Sequence, residues 1–216
     1  MDYIDIFIKN NYINLKQIAE SGQCFRWKKM CPGRYFVISD GRAACFFQEK
    51  TGIRILCREK DEEYFRRYLD LDTDYGKVIE QIDEKDDFLI GAAQMGRGIR
   101  ILRQDLWEMI VSFIISQRNN IPRIMKSIDA LCEKLGEQIV FDYEGEHLVG
   151  YTFPSPEVIV GADLSEFKFG YREKYIRQTA ENILEGKFDL EEVKDAVDEG
   201  KINGCSIRFA NVYSKN

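Results

Sequence analysis

The sequence is poor in the residues that usually build metal sites. It has one histidine, His147, among 216 residues, and its six cysteines form no Cys-x-x-Cys pair. Because zinc sites draw their ligands from closely spaced cysteine and histidine side chains, this spacing predicts no metal site. We expect reduced thiols that are mostly buried, as free cysteines usually are. The six are Cys24, Cys31, Cys45, Cys57, Cys132 and Cys205.

Long apolar runs and glycine-rich phosphate loops are also absent. No segment approaches the roughly 18 consecutive apolar residues of a membrane span. Residues 1–10 mix Asp2, Asp5 and Lys9 with apolar residues, which is not the pattern of a secretion signal. We therefore expect no membrane association and a cytoplasmic location. Without a phosphate loop no nucleotide cofactor is predicted, and no other cofactor is indicated.

Negative charge is concentrated in one segment. The chain has a net charge of −6, and residues 60–87 contain eleven acidic against five basic residues, which accounts for the whole excess. Residues 97–126 are basic by contrast, with six basic and two acidic residues. A short basic segment is most often a solvated face, so charge alone does not predict a nucleic-acid partner.

The first half of the chain has the pattern of a β-sheet. Residues 23–58 contain short segments rich in aromatic and β-branched residues, separated by glycine-containing turns. This pattern predicts an antiparallel meander. Beyond residue 60 the apolar spacing becomes helical, and amphipathic helices are expected over residues 62–69 and 75–83. The predicted strand segments are residues 35–38, 44–47 and 53–56.

Two successive helices are predicted in the middle of the chain. Asp105 has the chemistry of an N-cap, with Glu108 three residues later, ahead of an almost wholly apolar stretch that ends at Ile115. Such a helix is expected to lie inside the domain. Pro122 suits the first turn of a second helix, and Gly136 is placed to end it.

A polar turn of four residues separates these helices. At a helix end, free backbone N–H groups and side-chain amides can bind a phosphate or a base edge. From the residues alone, an ordinary connector with asparagine as the capping residue is the favoured interpretation. The four residues are Gln117, Arg118, Asn119 and Asn120.

Four motifs, in this order, resemble those of the 8-oxoguanine DNA glycosylases, a branch of the helix-hairpin-helix glycosylases. The resemblance covers most of residues 15–185. It implies an α+β fold, in which an antiparallel sheet domain with an acidic helical connector (residues 1–95) packs on a helical glycosylase domain (residues 96–216). The motifs are Ser-Gly-Gln-x-Phe-Arg-Trp at 21–27, Leu-Arg-Gln-Asp at 102–105, Ser-Phe-Ile at 112–114 followed by Asn119, Asn120, Ile121 and Arg123, and Gly-Tyr-Arg-x-Lys-Tyr at 170–175.

The resemblance implies an 8-oxoguanine DNA N-glycosylase with abasic-site lyase activity, which acts in base excision repair on duplex DNA and flips oxidised guanine into a pocket. Gly22 corresponds to the glycine whose carbonyl accepts the N7 hydrogen that 8-oxoguanine has and guanine lacks. A simple strand-entry glycine is the alternative.

The other motif residues correspond to contacts with DNA. Arg123 and Arg172 resemble the arginines that hold the orphaned cytosine, and Tyr171 resembles the aromatic wedge in the opened stack. Asn119 and Asn120 match the family's polar turn at the DNA surface. Arg118 departs from the pattern, because many members have asparagine at that position.

The family's catalytic group has no intact counterpart. Members that cut both base and backbone use a lysine in a hairpin, whose neutral amine forms a Schiff base with the sugar. In the nearest match, residues 202–211, Ser206 replaces the second hairpin glycine and Arg208 lies at the lysine position. Arginine stays protonated and cannot be that nucleophile. Lys201 and Lys215 are interpreted as solvated surface lysines.

The family's activating aspartate is also not found before Asn216. We expect a helical domain that is truncated in or near the hairpin, as a fragment, as the product of a disrupted reading frame, or as a DNA-binding remnant without catalysis. A protein-interaction module without a DNA role is disfavoured by the joint presence of Gly22, Arg123, Tyr171 and Arg172. We expect a poorly soluble monomer whose apolar helix is partly exposed.

Overall fold

The structure is a computed structural model that describes residues 3–143 and 145–193. Within them, an antiparallel sheet is followed by helices and a separate hairpin, which confirms the predicted α+β class. The strands are β1 (Tyr3–Lys9), β2 (Trp27–Cys31), β3 (Arg34–Ser39), β4 (Arg42–Glu49), β5 (Gly52–Arg58), β6 (Gln138–Tyr143) and β7 (Glu146–Tyr151). The α-helices are α1 (Leu15–Glu20), α2 (Glu62–Tyr68), α3 (Tyr75–Glu80), α4 (Asp87–Met95), α5 (Leu106–Ser116), α6 (Ile121–Leu135), α7 (Pro156–Gly161) and α8 (Arg172–Leu184).

The main sheet has the strand order β1-β5-β4-β3-β2, so β2 to β5 form the predicted meander. Ser39 pairs with Arg42 across a two-residue turn, in which Asp40 and Gly41 have φ angles of 48° and 70°. Two left-handed residues are what a type I′ hairpin requires, which explains the glycine. The edge strand β1 was not predicted, although Ile6 lies opposite Ile55 in a regular antiparallel register with β5.

Both faces of this sheet are covered. One face packs against α1 and α2, with Phe46 and Phe65 at its centre. The other face packs against the β6–β7 hairpin through Phe141, whose ring centroid lies 5.9 Å from that of Phe36 and 4.8 Å from that of Tyr3. A hairpin late in the chain therefore packs on the N-terminal sheet.

The helices α5 to α8 surround a second apolar core. Val111 and Ile115 of α5 are buried in it, as the sequence predicted. The opposite side of α5 is not enclosed, since Phe113 is 66% exposed and Met109 is 44% exposed. The prediction that α5 lies wholly inside the domain is therefore wrong for this side of the helix. The second prediction, that part of its apolar surface is exposed, is confirmed.

Two polar segments of the chain belong to regular elements. His147 lies in the β6–β7 hairpin, where it is opposite Asp142 and binds its carboxylate. The acidic run at residues 83–87, which the sequence predicts to be a charged linker or a helix end, forms a helix end: Asp86 caps α4 by accepting a hydrogen bond from the Leu89 backbone N–H (2.9 Å). No described helix is both long and apolar enough to span a bilayer.

Candidate nucleic-acid interface

Gly22 lies in an exposed loop directly after α1. Its φ angle is +80°, in the left-handed region that glycine adopts at the lowest cost, and a Cβ atom placed there would meet no heavy atom within 4 Å. Among the described residues, none donates a hydrogen bond to its carbonyl. The backbone at Gly22 is therefore open to the approach of a ligand, as its predicted role requires.

Gln23 fixes this loop to the segment that follows α4. Its side-chain Oε1 accepts a hydrogen bond from Leu102 N (2.9 Å), and its Nε2 donates to the carbonyl of Arg100 (2.9 Å). Its backbone carbonyl accepts from Gln104 Nε2 (2.6 Å). The first two family motifs are thus joined by direct hydrogen bonds.

Arg100 in turn holds that segment in the core. Its side chain is fully buried and donates to the carbonyls of Leu69 (3.0 Å), Thr73 (2.7 Å) and Tyr12 (3.2 Å). Burial lowers the pKa of this guanidinium, while Tyr75, over whose ring it lies at 4.2 Å, acts in the opposite direction. Sequence reasoning named neither Gln23 nor Arg100 as functional, although both lie in or next to the motifs.

The turn between α5 and α6 is built by its asparagines. Asn119 Nδ2 donates to the carbonyl of Ile115 (3.1 Å) and so caps the end of α5. Asn120 Oδ1 accepts from Arg123 N (3.0 Å), which makes it the N-cap of α6. The capping role favoured from sequence therefore holds, and it leaves the Asn120 amide group on the exposed side of the turn.

Arg172 connects this turn to the start of α8. Its Nε donates to the carbonyl of Gln117 (2.9 Å), and a terminal nitrogen donates to the same carbonyl and to that of Arg118 (3.2 Å). The guanidinium also lies 4.7 Å from the ring centre of Tyr171, which is 57% exposed. The structure thereby places Tyr171 beside the turn.

Arg118 and Arg123 are both exposed. Arg118 has a φ angle of +49°, a left-handed conformation that asparagine tolerates better than arginine does. Arg123 lies in the first turn of α6. The predicted contacts Arg118, Asn119, Asn120, Arg123, Tyr171 and Arg172 thus meet at one place, where α5 ends and α6 and α8 begin.

Gly22 lies at the other end of α5. Its neighbour Gln23 is bound to residues 102 and 104, just before the Asp105 N-cap. An eleven-residue helix is about 16 Å long, so the two ends of α5 lie about that far apart. The site has two parts, and α5 is the element that spaces them.

A buried ion pair supports the same region from within. Arg26 and Glu108 lie 2.7 Å apart, with side chains only 8% and 12% exposed. Burial raises the pKa of the Glu108 carboxyl, and the charge of Arg26 partly offsets that effect. The Glu108 carboxylate binds Arg26, and the Glu108 backbone N–H donates to the Asp105 side chain (2.8 Å), which makes Asp105 the N-cap of α5.

The described part of the chain offers little evidence for a second functional site. A cavity of about 470 Å³ lies between β2, β3, α6 and β7, and none of the predicted DNA contacts lines it. No cluster of potential metal ligands exists among residues 3–143 and 145–193. Burial raises the pKa of the Cys24 and Cys132 thiols to about 12, which leaves them unreactive. Ser206, Arg208, Lys201 and Lys215 lie outside the described residues.

Known proteins resemble this chain in sequence and in fold. A sequence profile described as 8-oxoguanine DNA glycosylase, N-terminal domain, matches residues 5–110. An N-glycosylase/DNA lyase of Saccharomyces cerevisiae is 28% identical over 214 residues, covering 87% of this chain and 54% of that protein. The chain spans about half the length of the curated relatives that it matches.

Solved structures match this chain over a larger share of their own length than the curated relatives do. MBOgg1, determined in complex with a low-affinity DNA ligand, has 35% identity and a TM-score of 0.79, with 90% of this chain and 70% of that chain covered. The Clostridium acetobutylicum 8-oxoguanine glycosylase/lyase, in complex with double-stranded DNA that has cytosine opposite 8-oxoguanine, has 31% identity and a TM-score of 0.77, with coverages of 90% and 70%.

The fold is therefore that of a DNA glycosylase. Within that class, the chain belongs to the 8-oxoguanine DNA glycosylase family.

Proposed function

We propose that this protein recognises 8-oxoguanine in duplex DNA and acts as an N-glycosylase/DNA lyase in base excision repair. The observation that carries the proposal is the arrangement of the two motif regions at opposite ends of α5. An open glycine backbone lies at one end, and a polar turn with an exposed tyrosine and arginines lies at the other. The names of the yeast and Clostridium relatives support the same activity.

The turn between α5 and α6 is suited to contact the opened duplex. Arg123 and the amide of Asn120 are exposed beside the N-terminus of α6, where helix geometry favours anions such as phosphate. Tyr171 offers an exposed ring that can occupy the gap left by an extruded nucleotide. These contacts lie within or close to the basic segment 97–126, so the net negative charge of the whole chain does not oppose them.

Gly22 is suited to tell the damaged base from the normal one. Guanine N7 is a hydrogen-bond acceptor, whereas N7 of 8-oxoguanine carries a hydrogen. A carbonyl facing N7 accepts that hydrogen, but it repels the lone pair of guanine and leaves two buried acceptors unsatisfied. One backbone oxygen thus distinguishes two bases of nearly equal size.

The bond-breaking step needs a nucleophile, and no described residue is assigned to it. A lyase reaction requires a neutral amine that attacks C1′ of the sugar, displaces the base and forms a Schiff base. Arg208 does not supply that amine, because a guanidinium keeps its proton. Base recognition and base removal are therefore tested separately.

Recognition is tested by measuring the affinity for a duplex with an abasic analogue opposite cytosine. Arg123→Ala is expected to weaken binding about tenfold, because a charged contact to the base or backbone is lost. Lys126→Ala, one turn further along α6 and also exposed, is the matched control and is expected to have a smaller effect. If neither affinity nor its salt dependence exceeds that of a protein of equal charge, the chain has no DNA site.

Removal is tested by borohydride trapping on a labelled duplex with 8-oxoguanine opposite cytosine, scored beside release of the free base. A covalent adduct identifies the amine that replaces the family lysine and establishes lyase activity. Base release without an adduct means hydrolysis by water. If neither occurs while the lesion is still bound, the chain is a DNA-binding remnant, which was the alternative drawn from the sequence.

A further inference from the structure

We infer that Gln23 is a positioning residue, which holds the Gly22 carbonyl in place and thereby sets the discrimination between 8-oxoguanine and guanine. The inference rests on the proposed function. It concerns a side chain that forms hydrogen bonds with Ser21, Arg100 and Leu102. Its effect is transmitted through one peptide bond.

Gly22 needs such support because its own conformation is weakly constrained. Glycine has access to more backbone conformations than other residues, and the direction in which a side chain would project from Gly22 is open. A carbonyl that moves freely through tens of degrees cannot distinguish a donor from an acceptor at N7, because hydrogen-bond strength falls steeply with poor alignment. Discrimination therefore depends on the residues before and after it.

Gln23 supplies constraints on both sides of Gly22. Its Nε2 donates to Ser21 Oγ (3.0 Å), and that hydroxyl in turn donates to the carbonyl of Ile18 at the end of α1 (2.7 Å). The same Nε2 donates to Arg100 O, while Oε1 accepts from Leu102 N. The loop from Ser21 to Gln23 is thus closed on itself and fastened to a second segment.

That second segment is rigid enough to serve as an anchor. Arg100 is 0% exposed and is hydrogen-bonded to backbone carbonyls from two other parts of the chain, and Leu102 is also buried. Arg103 N donates to the carbonyl of Tyr68 (2.9 Å). Movement of residues 100–104 would break several buried hydrogen bonds at once, so this segment is held in place. Because Gln23 is bonded to it, Gln23 in turn restricts the movement of the adjacent Gly22.

Gln23→Glu tests this directly. The substitution keeps the size of the side chain and the acceptor for Leu102, but at neutral pH it replaces the donor to Arg100 with a charged oxygen facing a carbonyl. We expect the ratio of affinities for 8-oxoguanine and guanine duplexes, both opposite cytosine, to fall about fivefold to tenfold. The affinity for the guanine duplex is expected to stay within about twofold of the wild type.

Gln17→Glu is the matched control. Gln17 makes the same kind of bridge at the start of α1, where Nε2 donates to Met95 O (2.8 Å) and Oε1 accepts from Gly98 N (3.0 Å). We expect Gln17→Glu to lose about as much stability as Gln23→Glu, but to leave the ratio of affinities for the 8-oxoguanine and guanine duplexes unchanged. If both variants lower the ratio equally, Gln23 acts only through stability and the inference is wrong.

The experiment separates this inference from the function on which it rests. A wild-type protein with no preference for the lesion would overturn both. A wild-type preference that Gln23→Glu retains would overturn the positioning role alone. Should Gln23→Glu fail to fold, Gln23→Met keeps a side chain of similar length, removes its hydrogen bonds to Arg100 and Leu102, and adds no charge. It too is expected to lower the ratio, and an unchanged ratio would contradict the inference.

Discussion

Arg172 donates hydrogen bonds from two of its nitrogens to a single backbone carbonyl, that of Gln117, more than fifty residues earlier in the chain. The sequence predicted that Arg172 holds an orphaned cytosine. In the structure, which holds no DNA to test that prediction, its guanidinium joins the start of α8 to the residue that follows α5. The contact between Arg172 and Gln117 thus keeps the neighbouring Tyr171 beside the polar turn.

The hydrogen bonds from Arg172 to the Gln117 carbonyl predict a loss of stability for Arg172→Lys. A single ammonium cannot reproduce the fork of the guanidinium, so we expect the free energy of unfolding to fall by about 1.5–3 kcal/mol. Urea denaturation measures this change. Lys174→Ala, in the same turn of α8 and exposed, is the control and should change stability by less than about 0.5 kcal/mol. Unchanged stability in Arg172→Lys would mean that the arginine serves DNA alone.

Arg118 predicts a gain of stability on substitution. Its left-handed conformation (φ +49°) costs an ordinary L-residue about 1–2 kcal/mol, and asparagine bears much less of that cost. Arg118→Asn is therefore expected to raise the free energy of unfolding by about 0.5–1 kcal/mol. Arg118→Lys keeps both the charge and the unfavourable conformation, so it should not be more stable than the wild type. Equal gains from both variants would point to charge instead of backbone conformation.

The parts of the fold that were predictable are those with local signals. The meander and the boundaries of α5 and α6 follow from turn glycines, Pro122 and the caps Asp105 and Asn120, which act on neighbouring residues. The strand β1 was missed although Ile4, Ile6 and Ile8 alternate, because its pairing with β5 depends on residues far along the chain. The β6–β7 hairpin is stabilised by packing on the main sheet, which no local pattern reveals.

The candidate site also combines features that local sequence predicts with features that depend on the fold. The capping roles of Asn119 and Asn120 were considered from sequence because a cap acts within one turn. The bridges made by Gln23 and Arg172 join segments far apart in the chain, so they appear only when the fold brings those segments together. The DNA contacts assigned by resemblance stay predictions until binding is measured.

The ion pair between Arg26 and Glu108 predicts a strongly non-additive response. Arg26→Met leaves a carboxylate buried without its partner, and we expect a loss of about 3–5 kcal/mol in the free energy of unfolding. The double variant with Glu108→Leu removes both charges and should recover most of that loss. Denaturant unfolding of the two single variants and the double variant completes the cycle. Additive losses would mean that the pair is solvated and not coupled.

Arg34 and Glu146 predict a pH-dependent contact between the main sheet and the hairpin. Arg34 Nη1 donates to Glu146 Oε1 (2.6 Å), and the second nitrogen and oxygen complete a bidentate pair. This hydrogen bonding lowers the pKa of the Glu146 carboxyl below its ordinary value of 4.5. Because the folded state holds the charged form, the pair contributes stability above that ordinary value and loses it as the pH falls through the lowered pKa.

Glu146→Gln tests this sign. The variant should melt below the wild type at about pH 7, and the two melting temperatures should converge as the pH falls through the lowered pKa of the wild-type carboxyl. Arg34→Gln should show the same convergence, apart from a constant offset, because its guanidinium also lies over the Phe47 ring (5.1 Å). A difference in melting temperature that persists unchanged at low pH would mean that shape and packing at Glu146, and not its charge, attach the hairpin to the sheet.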